Sequence, residues 1–176
     1  MSATFPPRAG SSRDAACYIR RVIAETNLLV SWRARPRGFV ALMGLYESNY
    51  LRLARLAGDL ATLVDRACSS VAGDCELLLE VVERSPYTTV ADLTYLLPAA
   101  GTGTAAAAGT LARLPDLRLK VYHDARLVEA TWSGASARAE RELVHRWARN
   151  MMLNKWLEYC LDRGHRFTGS AAHCRM

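Results

Sequence analysis

Residues 75–97 read CELLLEVVERSPYTTVADLTYLL, and this stretch decides the fold. Two runs in it, Cys75–Arg84 and Tyr87–Leu97, are dense in leucine, valine, threonine and tyrosine, which suit a half-buried pleated strand. Ser85 and Pro86 separate the runs with residues that favour turns. The stretch therefore predicts two antiparallel strands joined by a tight turn.

Two further strands follow this hairpin in the sequence. Leu117–Tyr122 alternates apolar and polar residues, which is typical of a strand with one buried face. A turn at residues 123–126 leads to a fourth strand at Leu127–Trp132. Between residues 98 and 115 the chain is rich in glycine, alanine and threonine, which predicts a loop excursion between strands. The sequence therefore predicts a four-stranded antiparallel meander.

Apolar residues recur at three- and four-residue steps on both sides of the predicted sheet, which indicates two helices. The first begins at Phe39 and ends at Gly58, and the long second one covers residues 137–163 and stops at Gly164. Helices and sheet each have one apolar face, so we expect both helices to pack on one face of the sheet in an α+β fold. We expect the other sheet face to be solvated or to bind a ligand. It carries Thr88, Asp92, Thr94, Arg118, Lys120 and Tyr122.

A single α+β domain is predicted over residues 39–165. We expect residues 1–38 to be an Arg-rich, partly disordered extension with weak helical periodicity, and residues 166–176 to be a flexible tail. The net charge of +6 is concentrated in the extension, which has seven arginines and two acids, whereas residues 39–176 have sixteen basic and fifteen acidic side chains. A nearly neutral domain argues against a dedicated nucleic-acid-binding protein.

Two features of the composition bear on the compartment. The chain has no run of about 20 apolar residues that could span a membrane, and its first residues lack the apolar segment of a secretory signal. The five cysteines contain no CxxC pair of the kind found in zinc sites. We therefore expect a cytoplasmic protein with reduced cysteines and with neither a metal nor a cofactor.

Four segments carry a family resemblance: LYESNY at 45–50, ERSPYTT at 83–89, VYHDA at 121–125 and NKWLEYCLDRG at 154–164. Over roughly residues 39–165 the chain resembles the YqiB-like family of proteobacterial proteins, a domain of unknown function. The resemblance implies a bacterial source and the domain bounds, but no activity, cofactor or catalytic residue. Genes of similar proteins also tend to lie beside genes for nucleotide-hydrolysing enzymes, so the resemblance implies a loose association with nucleotide metabolism.

Arg84, Tyr87 and Thr88 cluster around the first predicted turn. They combine a fork of N–H donors with hydroxyl groups, which is the chemistry that binds a phosphate or carboxylate. The alternative is an arginine paired with a nearby acid, beside a threonine selected for strand propensity.

Tyr122, His123 and Asp124 lie at the second predicted turn. An imidazole can transfer protons near pH 7 and a carboxylate can orient it. Neighbouring side chains on a strand point to opposite faces, however, so a His123–Asp124 dyad requires help from the turn. Parity along the strand instead predicts a partly buried, hydrogen-bonded histidine and an aspartate that forms the turn.

Three functional hypotheses follow. The first is a non-enzymatic binding or regulatory module for a protein partner or a small anionic ligand, and the second is a small hydrolase or lyase acting on a nucleotide-like or other anionic metabolite. In the second, Arg84 holds the anion, His123 moves a proton, and Asp124 or Glu83 orients the imidazole. The third is nucleic-acid binding through the extension, helped by arginines of the last helix, but interleaved acids disfavour it. The predicted ligand-binding residues are Arg84, Tyr87, Thr88, Tyr122, His123 and Asp124, and no catalytic residue is assigned.

Overall fold

A computed structural model of the chain describes residues 38–98, 111–132 and 143–167. The described residues form one antiparallel sheet, β1–β5, whose strands are neighbours in chain order, together with two helices, and this confirms the predicted α+β meander. Most of the predicted extension and of the loop excursion lies outside the described residues. The elements are α1 (Phe39–Ala57), a 3-10 turn (Leu60–Thr62), β1 (Arg66–Ser69), β2 (Glu76–Arg84), β3 (Thr88–Pro98), β4 (Leu111–Tyr122), β5 (Leu127–Trp132) and α2 (Leu143–Arg163).

The sheet has five strands, so the predicted number of four is wrong. The missed strand, β1, has only four residues, which is too few for an alternating pattern to be recognised. Strand β4 also begins at Leu111, well before the alternation that starts at Leu117. A register shift against β3 and Pro115, which has no N–H to donate, interrupt the pattern there.

Glycines end both helices, as the sequence predicts. Gly58 and Gly164 have φ angles of 76° and 91°, in the left-handed region that favours glycine. The N–H of Gly58 donates to the carbonyl of Ala54 at 2.8 Å and closes the last turn of α1. The described part of α2 begins at Leu143, and the earlier start predicted at residue 137 lies outside the described residues.

Both helices pack on one face of the sheet and run in the same direction. Leu53 of α1 and Leu153 of α2 share one buried cluster with Leu93 of β3. The helices begin at the β5 edge of the sheet and end near β1. In α2, the Asn150 side chain accepts from the Ala130 N–H of β5, and the Arg166 N–H after the helix donates to Ser69 of β1. In α1, Tyr46 donates to Glu129 of β5, and the Leu56 carbonyl near the other end accepts from the Phe167 N–H. No helix in the described ranges is both long and apolar enough to cross a membrane.

The other face of the sheet is partly buried, so of the two alternatives predicted for it, solvated or ligand-binding, full solvation is wrong. Asp92 and Thr94 are buried on this face, and Cys68, Leu78 and Leu96 form a small buried cluster there. The structure also records Cys68 as disulfide-bonded, so the expectation of five reduced thiols is wrong for this residue.

Candidate functional site

The β2–β3 and β4–β5 turns lie side by side at one end of the sheet, and we call residues 85–88 and 122–126 the sheet tip. Thr88 lies opposite Tyr122 in the β3–β4 register. The His123 N–H donates to the carbonyl of Tyr87 at 3.0 Å, and this bond ties the two turns together. The structure thus brings five of the six predicted residues together, all except Arg84.

Arg84 is the predicted anion-binding residue, and its guanidinium is already bonded within the protein. Its Nη2 donates to the Leu63 carbonyl and to Asp65 Oδ1, the latter at 3.0 Å. This is the ion-paired alternative considered from the sequence, although Asp65 is 90% exposed and such exposed pairs contribute little. Nη2 of Arg84 is therefore engaged by the protein, and an anion at the first turn would have to displace or share these contacts.

His123 and Asp124 are not arranged as a proton-transfer dyad. His123 is half-buried, and its Nε2 lies 2.9 Å from Thr89 Oγ1. Its Nδ1 is buried and has no hydrogen-bond partner among the described residues. Asp124 Oδ1 accepts the Ala125 N–H at 2.8 Å, which stabilises the turn. The geometry therefore gives the hydrolase hypothesis no support.

Tyr122 connects the sheet tip to the carboxylate of Glu129 on β5, which also binds side chains near the start of both helices. Its hydroxyl lies 3.5 Å from Oε2 of Glu129, and Oε1 of Glu129 accepts from Tyr46 at 2.9 Å and from Arg146 Nη2 at 2.7 Å. Burial raises the pKa of Tyr46 and Tyr122, and the charge of Glu129 raises it further. Burial acts to lower the pKa of Arg146, but Glu129 raises it overall. These groups satisfy one another and serve to dock the helices on β5.

A ladder of buried asparagines joins the two helices beside this cluster. Asn49 Nδ2 donates to Asn150 Oδ1 at 3.2 Å, and Asn154 Nδ2 donates to Asn49 Oδ1 at 2.9 Å. Asn150 Oδ1 also accepts the N–H of Ala130 on β5 at 2.9 Å. The ladder sets the relative positions of α1, α2 and the sheet edge.

A buried serine, histidine and aspartate meet where the chain leaves α2. His165 Nδ1 lies 3.1 Å from Ser69 Oγ, and its Nε2 lies 3.4 Å from Asp74 Oδ2. Arg163 Nε donates to Asp74 at 3.0 Å, and the side chains of Asp74 and His165 have no exposed surface. Ser69 is also buried, so this set ties the end of α2 to β1 and is not accessible to a substrate.

A groove of about 510 Å³ opens on the outer side of the two helices. Three arginines line it, which the sequence did not single out. Arg52 and Arg55 share one side of α1, a spacing visible in the sequence, but Arg166 joins them only through the fold. We call this the helix groove, and its residues are Leu51, Arg52, Arg55, Glu158, Leu161, Asp162 and Arg166.

Two remaining points from the sequence concern a metal site and a nucleic-acid surface. The described residues contain no group of three or more histidine, cysteine or acidic side chains that could hold a metal ion. All but the last residue of the extension that the nucleic-acid hypothesis invokes lies outside the described residues. Of the last helix's arginines, Arg146 is ion-paired and Arg149 is buried, so these two do not form a basic surface.

Comparison with known proteins identifies one family. Residues 52–166 match the sequence model described as Protein of unknown function (DUF1249). No curated protein and no solved structure matches the chain significantly. The match begins within α1 and ends just after α2, so it includes the whole sheet and all but one residue of the helix groove.

Proposed function

The chain belongs to the family of proteins of unknown function (DUF1249), and within it we propose that this protein is a binding module for a small anionic ligand. The observation that carries the proposal is the convergence of Arg52, Arg55 and Arg166 on one groove of about 510 Å³. Small-molecule sites have volumes of about 300–1,000 Å³, so the groove accommodates a metabolite.

The charges around the helix groove favour an anion. Its three guanidinium groups face two carboxylates, those of Glu158 and Asp162. Glu158 is itself paired with Lys155, whose Nζ lies 3.0 Å from Oε2. An excess of positive charge remains, and guanidinium groups bind phosphate and carboxylate oxygens through paired N–H donors.

The shape and rigidity of the groove add to this argument. Leu51 and Leu161 supply apolar contact area, so a ligand with an apolar part beside its charge fits best. The backbone of Arg166 is held at both ends: its own N–H donates to Ser69 Oγ at 3.0 Å, and the next N–H, of Phe167, donates to Leu56 at 2.8 Å. A preformed site loses less conformational entropy on binding.

The resemblance to the YqiB-like family refines the proposal. Its association with genes for nucleotide-hydrolysing enzymes favours a nucleotide-related ligand, which has both a phosphate and an apolar base. The cytoplasmic location predicted from the sequence suits such a ligand, although a disulfide such as that of Cys68 is unusual in this compartment. Binding is favoured over hydrolysis because three of the groups that the hydrolase hypothesis invokes, on Arg84, His123 and Asp124, bond to other parts of the protein.

A thermal-shift screen of the full chain against nucleotides, sugar phosphates and short carboxylates tests this proposal. A ligand that binds only the folded state raises Tm by an amount that grows with the ratio of its concentration to its Kd. We expect a concentration-dependent rise that is lost in Arg55→Ala and kept in Arg113→Ala, a matched charge loss at a half-exposed arginine on the sheet. An equal rise in Arg55→Ala, or no rise with any compound, would show that the proposal is wrong.

A second candidate, a protein contact at the sheet tip, rests on Tyr87. Its side chain is 70% exposed on a turn closed by the Ser85 N–H to Thr88 bond of 2.8 Å and tied to His123. Tyrosines held in place in this way are common at the centre of protein interfaces. A partner captured by the wild type should be lost with Tyr87→Ala and retained with Val82→Ala, which changes another exposed apolar side chain. Retention by both variants would exclude this contact.

A further inference from the structure

Arg149 lies on a face of α2 whose other buried residues are apolar. It lies three, four and seven residues before Met152, Leu153 and Trp156, so all four side chains fall on one helical face. This face is turned toward the sheet, because the ring of Trp156 packs edge-on against Tyr95 of β3 at 5.6 Å. Arg149 is buried like its neighbours, with 7% of its surface exposed.

One edge of the Arg149 guanidinium is unpaired. Its Nε and Nη2 atoms are buried and have no hydrogen-bond partner among the residues that the structure describes. Two other arginines show what this edge binds. Arg118 directs Nε and Nη2 to the two carboxylate oxygens of Asp92 at 2.9 and 3.0 Å, and Arg146 directs the same atoms to Glu129 at 3.0 and 2.7 Å.

A guanidinium cannot lose its proton in a protein, so Arg149 remains charged in its buried position. A buried charge without a counter-ion is strongly unfavourable. We propose that the Nε/Nη2 edge of Arg149 is a binding site for an anion that presents two oxygens, namely the carboxylate or phosphate group of a small ligand. His145, one turn earlier, is exposed, so this end of α2 reaches solvent.

This site is separate from the helix groove and does not depend on the proposed function. Arg149 and Glu158 are nine residues apart on the same helix, which is about 13 Å along its axis. The groove lies on the outer side of the helices, whereas Arg149 lies on the face toward the sheet. A ligand in one place therefore makes no contact with the arginines of the other.

The test compares the Tm of the full chain and its Arg149→Met variant in sodium phosphate and in sodium acetate, with sodium chloride at equal ionic strength as the reference. Methionine has a similar shape and no charge. In chloride we expect the variant to melt at least about 3 °C higher, because an uncompensated buried charge has been removed. We expect phosphate or acetate to raise the wild-type Tm by more than it raises that of the variant.

Arg55→Ala and Arg113→Ala serve as controls for binding in the helix groove and for general salt effects. Arg113→Ala should keep the phosphate or acetate shift of the wild type, and Arg55→Ala should keep the part of the shift that Arg149→Met loses. Arg149→Lys, which keeps the charge but lacks the paired donors, should reduce it. A lower Tm for Arg149→Met in chloride would mean that another part of the chain already pairs with Arg149, and this would overturn the proposal. An equal anion shift in wild type and Arg149→Met would overturn it as well.

Discussion

Replacement of Asn150 by alanine should cost this protein about 3 kcal/mol of its free energy of unfolding. The side chain makes three hydrogen bonds: Oδ1 accepts from Ala130 N–H at 2.9 Å and from Asn49 Nδ2 at 3.2 Å, and Nδ2 donates to the Arg146 carbonyl at 2.8 Å. Asn49 Nδ2 keeps a longer bond of 3.4 Å to the Asn150 carbonyl, whereas no protein group replaces the acceptor for Ala130 among the described residues.

The magnitude follows from these contacts. A buried donor left without an acceptor costs about 1–3 kcal/mol, and a lost hydrogen bond about 1 kcal/mol more. The small cavity left beside Asn49 adds to this. Alanine favours a helix by up to about 0.7 kcal/mol over asparagine, which offsets part of the loss. The sum is a net destabilisation of about 3 kcal/mol.

Urea denaturation followed by circular dichroism measures this difference, with Lys155→Ala as the control. Lys155 is on the same helix with its side chain 60% exposed, and its replacement should change stability by less than about 0.5 kcal/mol. Native-state hydrogen exchange should also show faster exchange of the Ala130 N–H in Asn150→Ala. A loss below about 1 kcal/mol would refute the idea that this asparagine is the acceptor for the sheet edge.

Three further predictions concern single groups. Burial acts to raise the pKa of Asp74, but the hydrogen bonds from His165, the Cys75 N–H and Arg163 outweigh it and hold this pKa below its usual value. The stability that these bonds provide is therefore present above about pH 4 and is lost on acidification. Urea denaturation at pH 6 and pH 3 should show that Asp74→Asn loses less stability on acidification than the wild type does. Burial raises the pKa of Cys160 to about 12, so iodoacetamide at pH 8 should leave it unlabelled by mass spectrometry until the protein is unfolded. Gly164→Ala should lower stability by about 1–2 kcal/mol in the same urea assay because of the φ of 91°, and a neutral effect would contradict the left-handed helix end.

The candidate sites show where prediction from sequence stopped. The residues of the sheet tip could be found because a meander places alternate turns at the same end of a sheet. The sequence could not show whether Arg84 binds a ligand or an acidic side chain. Its partner, Asp65, directly precedes the missed strand β1, and only the pairing of that strand brings it to Arg84. The three arginines of the helix groove likewise come from two elements that are distant in the chain.

The sequence by itself determined the features that depend on neighbouring residues: the helical and strand periods, the tight turn at Ser85 and the glycine ends of both helices. Local backbone preferences and the burial of one face per element decide these, and both can be read within a short window. Only the tertiary structure decided which polar groups find a hydrogen-bond partner within the protein. Asp74 meets His165 and Asn49 meets Asn150, while the paired-donor edge of Arg149 lies in the apolar stripe with no partner among the described residues. Such contacts join positions far apart in the chain, and their energies depend on burial, which exists only once the helices have packed on the sheet.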